Sequence, residues 1–391
     1  MKILVLGGAG AMAQVTIRDL LENRKVQMVG VADLHLERAQ AATRDLKDER
    51  AVAISADARD NAQLAKIMRE WDVVINSTWY ELNLHAMLAA IQAGIHYLDL
   101  GGLYYMTRRQ LELDKDARNA NVTCVLGMGS TPGTMNVMGA YVAGKMDEVE
   151  TMKLRSGSAV VKGGGSFQLP YAIRTLLDEF TIPPIIFRDG KIQEVPVLSG
   201  KELIVLPEPI GAVEGYYTIH SELATMPFNI GKGIKNMDFI VAYPPEFTKS
   251  IILLAQLGLT NKKPMNVKGQ DVVPYDVLTS VIDSLRKPTS VELDVDCQQV
   301  EAIGKHKGKQ VKICVDAISV PNEHWNIGGG TVGTGTPPSI VAQWLATGRI
   351  TKRGTLPPEL CVEPGEFLKE LTSGKRGINV TERSEEISYL S

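Results

Sequence analysis

Small residues near the N-terminus have the types and spacing needed to bind a phosphate. The stretch 8–13 reads Gly-Ala-Gly-Ala-Met-Ala, the pattern G-x-G-x-x-A of dinucleotide-binding turns. In this pattern the first glycine permits a tight turn, the second lets the backbone approach a pyrophosphate, and the final alanine lets a helix pack close to a strand. Free N–H groups at the start of that helix favour the phosphates. The predicted cofactor-binding residues of this turn are Gly8, Gly10, Ala11 and Met12.

A carboxylate follows at the position where dinucleotide-binding domains bind the adenosine ribose through hydrogen bonds. Asp33 lies 20 residues beyond Ala13, at the end of the second predicted strand. The 2′-phosphate of NADP would add roughly 1.5 to 2 negative charges there. Two unit charges about 4 Å apart repel by roughly 4 kcal/mol at an effective dielectric constant of about 20. We therefore expect NAD as the cofactor, with the alternative that Asp33 only caps the following helix.

Alternating strands and helices must position these residues. Short apolar runs rich in β-branched residues predict six strands, at 2–6, 26–32, 51–56, 72–76, 96–100 and 122–126. Helical periodicity lies between them, so the strands are expected to pair in parallel through right-handed crossovers. Residues 1–132 are thus predicted to form a Rossmann dinucleotide-binding domain of the α/β class.

Ligands of open parallel sheets lie beyond the carboxyl ends of the strands. This rule selects Asp57 after the third strand, as a contact for the adenine. For the nicotinamide end it selects polar and glycine residues after the later strands: Ser77, Thr78, Gly101, Gly102 and the stretch 127–129. Each of these residues could instead serve only the local turn.

A change of pattern marks a second domain. After a predicted helix at 133–146, strands are predicted at 150–160, 185–187, 193–197, 291–302 and 309–320, the last two joined by a polar connection at 304–308. Residues 133–335 are predicted to be an α+β domain for substrate binding and dimerisation. The glycine-rich stretch 328–335 is interpreted as a flexible link. Thr336 then caps a helix that ends near residue 347, and 336–391 returns to the cofactor domain.

The bulk composition excludes several classes of function. The net charge of −3 and the lack of a polybasic stretch argue against a nucleic-acid partner. No run approaches the roughly 18–20 apolar residues that cross a membrane, and scattered cysteines without a signal peptide favour a cytoplasmic protein. The six histidines lack metal-ligand spacing, so no metal is expected.

Several segments, in their shared order along the chain, resemble the saccharopine dehydrogenase-like family, and within it the L-lysine 6-dehydrogenases. These segments are 5–10, 99–102, 131–136, 176–181, 188–191, 335–337 and 350–359. The resemblance implies oxidation of a carbon that bears an amino group, or reduction of an imine, with hydride exchanged with the nicotinamide. It also implies a homodimer or larger homo-oligomer. One departure is Tyr217, where the lysine 6-dehydrogenases carry a histidine; this chain has His220 nearby.

Oxidation of an amine requires its neutral form, which costs about 4.6 kcal/mol at pH 7 for a pKa near 10.4. A buried pocket and a general base could supply this free energy, and the candidates for that base are His220, Glu214 and Asp99. Arg155 and Arg174 are the candidates for binding a substrate carboxylate. Tyr80 and Tyr217 are expected to shape the pocket. Each of these residues also has a purely structural alternative.

Three functions fit the sequence. The first is an NAD-dependent oxidoreductase that deaminates the CH–NH2 group of an amino acid or amine, like lysine 6-dehydrogenase. The second is a saccharopine- or opine-type reductase of the imine formed between a keto acid or aldehyde and an amino acid. The third is a protein that binds NAD as a sensor without turnover.

Overall fold

The computed structural model describes residues 1–163, 171–285, 293–374 and 376–387. In the first part of the chain the strands are β1 (Lys2–Leu6), β2 (Met28–Asp33), β3 (Ala51–Ser55), β4 (Val73–Asn76), β5 (His96–Asp99) and β6 (Thr123–Val125). The helices between them are α1 (Ala11–Glu22), α2 (Leu36–Leu46), α3 (Asn61–Met68), α4 (Asn83–Ala93), α5 (Leu103–Leu111) and α6 (Asp114–Asn119).

The second part carries the helices α7 (Thr134–Gly144), α8 (Ile173–Thr181), α9 (Met226–Asn229), α10 (Pro245–Gln256), α11 (Pro274–Leu285), α12 (Gly329–Ala346), α13 (Pro358–Cys361) and α14 (Pro364–Leu371). Its strands are β7 (Glu148–Lys162), β8 (Ile185–Arg188), β9 (Lys191–Glu194), β10 (Glu202–Val205), β11 (Ala212–Tyr217), β12 (Asn236–Ala242), β13 (Met265–Val267), β14 (Gln270–Val272), β15 (Leu293–His306), β16 (Lys309–Ser319), β17 (Gly354–Leu356) and β18 (Ile378–Glu386). Short 3-10 turns cover Tyr80–Leu82 and Glu222–Ala224.

The first sheet is parallel and doubly wound, which confirms the predicted α/β class. Its strand order is β3-β2-β1-β4-β5-β6-β17, and the first six strands follow the order of a dinucleotide-binding domain. Along β1, Ile3 and Val5 enter one buried apolar cluster, whereas Leu4 and Leu6 enter the other. From Ile3 to Leu6 the strand is apolar and buried, because helices cover both faces of the sheet.

The second sheet is mixed and has nine strands. Its main path is β10-β11-β12-β7-β15-β16-β18; beside this path β8 pairs with β12, and β9 pairs with β8. The pair β12–β7 is parallel and the long pair β15–β16 is antiparallel. Two residues of the predicted strand 291–302, at 291 and 292, lie outside the described residues. The C-terminal segment supplies one strand to each sheet. β17 pairs with β6 in the first sheet, and β18 pairs with β16 in the second.

The connection predicted at 304–308 is shorter in the structure. The strands β15 and β16 pair from His306 and Lys309 onward, so that only Lys307 and Gly308 form the turn. Both residues have positive φ, of 51° and 77°. A two-residue turn of this kind matches the right-handed twist of the strands, which is why it replaces the longer polar loop.

The glycine-rich stretch predicted as a flexible link is instead the first half of α12. The helix begins at Gly329, before the predicted cap at Thr336, and contains Pro337 within it. It packs closely on α1, where a Cβ on Gly335 would lie 2.6 Å from the carbonyl oxygen of Met12. Small residues thus serve the close contact between the two helices.

This contact predicts an effect on stability. Gly335→Ala is expected to lower the free energy of unfolding by about 1–3 kcal/mol, because the new methyl group overpacks the contact with α1. Gly144→Ala is the matched control in α7, because a Cβ there meets no atom within 4 Å. The measurement is denaturant unfolding of both variants beside the parent chain. Equal stability of the two variants would contradict the close-packing interpretation.

Within the described part of the chain, no helix is both long and apolar enough to cross a membrane.

Candidate active site

A cavity of about 1110 Å³ separates the carboxyl ends of the first sheet from the second sheet. Its wall on the side of the first sheet includes Met12, Ser77, Thr78, Tyr80, Gly101 and Gly102. Its opposite wall includes Ser156, Glu179, His220, Tyr243, Asp294 and Asp296. A cleft between the strand ends of a doubly wound sheet and a covering domain is where such folds bind cofactor and substrate together.

The turn between β1 and α1 fits a dinucleotide pyrophosphate. A Cβ on Gly8 would lie 2.8 Å from a methyl group of Val31, so the close approach requires glycine. Gly10 caps α1, and among the described residues no side chain accepts the N–H groups of the first helical turn. These groups, next to exposed Ala11, are therefore available to phosphate oxygens.

Asp33 and Asp57 both follow strands as expected, and both also support local turns. Asp33 is buried at the end of β2, and one of its oxygens accepts from the backbone N–H of His35 at 3.1 Å. The guanidinium of Arg38 lies 3.9 Å from the same oxygen. Asp57 accepts from the N–H of Arg59 at 2.9 Å and does not line the cavity.

The loop after β4 reaches the cavity. The Thr78 hydroxyl donates to Asn76 Oδ1 at 2.6 Å. The neighbouring Ser77 Oγ is buried and has no hydrogen-bond partner among the described residues. A bound group or an ordered water normally completes the hydrogen bonding of such a hydroxyl. Ser77 thus fits a role at the nicotinamide end of the cofactor.

Asp99 lies beneath this wall and does not line the cavity. It is fully buried and accepts from the backbone N–H groups of Gly101 at 2.9 Å and Gly127 at 2.7 Å. The side chains of Gln110 and Tyr97 also donate to it, at 2.7 and 2.9 Å. Burial raises its pKa, although these four hydrogen bonds oppose the rise. Its geometry is that of a carboxylate that holds the loops after β5 and β6 together.

His220 lines the cavity from the covering domain. It is buried, its ring stacks on Phe239 with centroids 4.1 Å apart, and its Nδ1 bonds to Glu222. No described residue bonds to its other ring nitrogen, Nε2, which is left for the cavity. Burial lowers the pKa of His220, but the carboxylates of Glu222 and Glu179 outweigh this effect and raise the pKa above its ordinary value. The residue can therefore hold and donate a proton.

Glu179 is a second buried polar group on this wall that the sequence did not single out. One of its oxygens, Oε2, accepts from the Tyr243 hydroxyl at 2.8 Å and also from Tyr171. Burial raises the pKa of Glu179 above its ordinary value, although the charge of His220 and the two tyrosine hydrogen bonds oppose the rise. Glu222, Asp294 and Asp296 were missed as well; only the two-residue spacing of His220 and Glu222 offered a sequence signal.

Like Asp99, three predicted catalytic or substrate-binding residues of the covering domain do not line the cavity: Glu214, Arg155 and Tyr217. Glu214 is exposed and pairs with Lys201 at 2.7 Å. The guanidinium of Arg155 is buried with Asp238 at 2.6 Å and Glu202 at 2.9 Å.

Strand parity explains the position of Arg155. The next residue along β7, Ser156, lines the cavity, and successive side chains of a strand point to opposite faces. Tyr217 lies at the end of β11, where its hydroxyl bonds to Arg188 at 3.4 Å.

Of the two remaining predicted residues, one lines the cavity and the other contacts a residue that lines it. Tyr80 lines it and donates to buried Asp178 on α8 at 2.5 Å. Arg174 does not line it; its guanidinium stacks over Trp79 and Tyr275, 5.4 and 5.5 Å from the ring centres. These contacts tie the first domain to α8 and α11.

Two family models together match nearly the whole chain. The saccharopine dehydrogenase NADP binding domain matches residues 3–125, and the saccharopine dehydrogenase C-terminal domain matches residues 129–377. In the solved structures, apo saccharopine dehydrogenase (L-Glu forming) from Saccharomyces cerevisiae has a TM-score of 0.76 at 18% identity, with 98% of this chain and 99% of that chain covered. That likeness shows the same fold.

Among curated proteins, the chain is similar to two enzymes over most of both lengths. A carboxyaminopropylagmatine dehydrogenase of Synechocystis is 23% identical, covering 82% of each chain. A carboxynorspermidine synthase of Vibrio alginolyticus is 24% identical, covering 94% of each chain. A saccharopine dehydrogenase [NADP(+), L-glutamate-forming] of Schizosaccharomyces pombe is 25% identical over 55% of this chain and 48% of its own.

Proposed function

Since the chain belongs to the saccharopine dehydrogenase family and is an NAD(P)-dependent dehydrogenase, we propose that it reduces the imine formed between an amine and a carbonyl compound. The observation that carries this proposal is the cavity itself. It joins the nicotinamide-side loops to the buried pair His220–Glu222, and its volume, about 1110 Å³, exceeds what one small ligand needs.

The proposed reaction joins two carbon chains through nitrogen. The amine nitrogen adds to the carbonyl carbon, and water leaves to give a C=N bond. That bond then accepts a hydride at carbon and a proton at nitrogen, which gives a secondary amine. When bound, the reduced nicotinamide supplies the hydride.

His220 is the proposed source of the proton. Its Nδ1 is held by Glu222, so Nε2 is the nitrogen that would donate to the imine, after which the ring takes a new proton from solvent. Glu222 acts as a positioning residue, since its carboxylate orients the imidazole and favours the protonated form.

The relatives favour imine reduction over oxidative deamination of a lysine-like amine. Carboxynorspermidine and saccharopine are names of secondary amines, the product of the reaction proposed here. Oxidative deamination would use the same residues in the reverse direction with a free primary amine as substrate. We also propose NAD as the preferred cofactor on the basis of Asp33, although the matching domain is described as NADP binding.

The direct test follows the oxidation of NADH and NADPH by absorbance with a panel of amines crossed with aldehydes and 2-oxo acids. Oxidation is expected only when an amine and a carbonyl compound are both present, because neither alone forms the C=N bond. NAD reduction by an amine alone at about pH 9, close to the pKa of amines, would favour the lysine 6-dehydrogenase-like function. Cofactor binding without turnover of any pair would favour the sensor.

A further inference from the structure

The proton that His220 gives to the imine must be replaced before the next turnover. Glu222 bonds to Nδ1 on one side of the ring. That carboxylate is fully buried, and its Oε1 has no hydrogen-bond partner among the described residues. Within the described part of the chain, no side-chain hydrogen bond therefore continues from Glu222 towards the surface. The new proton has to reach the ring at Nε2, from the side of the cavity.

Glu179 is the carboxyl group on the cavity side whose charge acts on His220. It lies on α8, lines the same cavity and is buried. The carboxylates that raise the pKa of His220 are those of Glu222 and Glu179. Since Glu222 holds Nδ1, Glu179 is the one of the two that can exchange a proton with Nε2.

Two tyrosines fix the position of Glu179. The Tyr243 hydroxyl donates to Oε2 at 2.8 Å, and the Tyr171 hydroxyl donates to the same oxygen. The two hydroxyls also bond to each other. Tyr243 is buried, whereas Tyr171 is partly exposed to solvent. Because both tyrosines hold Oε2, Oε1 is the oxygen of Glu179 that is left to carry and release a proton.

The surroundings of Glu179 favour its neutral, protonated form. Burial raises the pKa of this carboxyl above its ordinary value, and the charge of the neighbouring Asp178 adds to the rise. The charge of His220 and the tyrosine hydrogen bonds oppose it. A carboxyl group with a raised pKa beside a histidine with a raised pKa can pass a proton to the ring.

We propose that Glu179 relays protons from solvent to Nε2 of His220 between turnovers. This inference rests on the proposed imine reduction. The protonated carboxyl gives its proton to Nε2, directly or by way of a cavity water, which leaves a carboxylate and an imidazolium. The imidazolium then protonates the imine nitrogen as the hydride reaches the carbon, and the carboxylate takes the next proton from solvent. In this role Glu179 acts through His220 and does not touch the reacting atoms.

A comparison of one turnover with many tests the relay in Glu179→Gln. At about pH 6 the ring starts with its own proton, so the rate of NADH oxidation in a single turnover should stay within about threefold of the parent. Steady-state kcat is expected to fall about 100-fold, the lower end of the range for loss of a proton-transferring group. Added imidazole, a small acid with a pKa near that of histidine, should raise the kcat of the variant but not that of the parent.

Equal losses in the single turnover and in the steady state would overturn the proposal. So would a kcat of Glu179→Gln that does not respond to imidazole, because a buffer acid replaces a missing proton relay but does not repair a structural defect. Retained NADH binding shows that the variant is folded.

Two other glutamate variants are the controls. Glu222→Gln loses the group that orients the ring, so both rates should fall together and should not respond to imidazole. Glu148→Gln changes an exposed glutamate that pairs with Lys305 outside the cavity, and it should keep both rates of the parent. A response to imidazole in Glu222→Gln would place the relay at Glu222 and contradict its assignment to Glu179.

A separate measurement distinguishes the relay from the proposed function. If no amine and carbonyl pair is turned over, imine reduction fails, but the relay can still be followed in the free protein. NMR of protein labelled with ¹⁵N-histidine gives the rate at which the Nε2 proton of His220 exchanges with water. Exchange that is about tenfold slower or more in Glu179→Gln than in the parent supports the relay. Equal exchange rates reject it.

Discussion

Replacing His220 with glutamine is expected to lower kcat for imine reduction by about 100- to 10,000-fold, the range for loss of a general acid. Glutamine keeps a similar volume and can still bond to Glu222, but its amide does not donate a proton at neutral pH. The Kd for NADH should change little, because the cofactor turn belongs to the other domain. Steady-state kinetics and a separate measurement of NADH binding check both statements.

The matched control is His85→Gln, an exposed histidine of α4 that contacts Asn61 outside the cavity. It should retain the rate of the parent chain. If His220→Gln loses less than about threefold in kcat, the proton must come from another group, since even weak general-acid catalysis contributes more than this.

A pH profile separates proton donation by His220 from a purely structural role. The protonated ring is the donor, so reductive kcat/KM should be high below the pKa of His220 and fall as the pH rises through it. In the parent chain the fall should occur above pH 6.5, because the Glu222 and Glu179 carboxylates outweigh burial and raise that pKa. Glu222→Gln removes one of these charges and should move the fall to lower pH.

Changing Asp33 to serine is expected to shift the ratio of kcat/KM for NADH over NADPH by about 100-fold or more towards NADPH. A repulsion of roughly 4 kcal/mol between the carboxylate and a 2′-phosphate would disappear, and each 1.4 kcal/mol corresponds to about a tenfold change. Arg38, now 3.9 Å from Asp33, would become available to the phosphate. Kinetics with both cofactors at one saturating substrate pair give the ratio.

Asp57→Ser is the matched control for this substitution, because Asp57 also follows a strand of the first sheet and accepts a turn N–H. It should leave the ratio close to that of the parent chain. A parent enzyme that already prefers NADPH would show that Asp33 tolerates the 2′-phosphate, in agreement with the description of the matching domain.

The first domain could be predicted from sequence because its signals are local. The apolar runs, the turn at Gly8 and Gly10 and the position of Asp33 all lie within short stretches, and each has one main structural meaning. The cavity wall formed by the second domain had no such local sequence signal. His220 follows β11, Glu179 lies on α8 and Asp296 lies on β15. These elements are far apart along the chain, and the tertiary fold brings the three residues to one cavity.

Arg155 shows the physical limit of such reasoning most clearly. Its type suited a substrate carboxylate, but on a strand a shift of one residue exchanges the two faces of the sheet. Ser156 therefore reaches the cavity, and Arg155 pairs with Asp238 and Glu202. The sequence predicted a strand there but did not define which of its two faces would line the cavity. It therefore could not predict that the side chain of Arg155 points away from the cavity.

The C-terminal segment limits the modularity of the protein. Because β17 completes the first sheet beside β6 and β18 completes the second beside β16, the chain enters the cofactor half twice. A graft of that half onto another substrate domain would have to carry two separate stretches of sequence, together with the helix α12 that packs on α1. Recombination at a single crossover near residue 132 would combine β1 to β6 of one parent with β17 of the other in the first sheet.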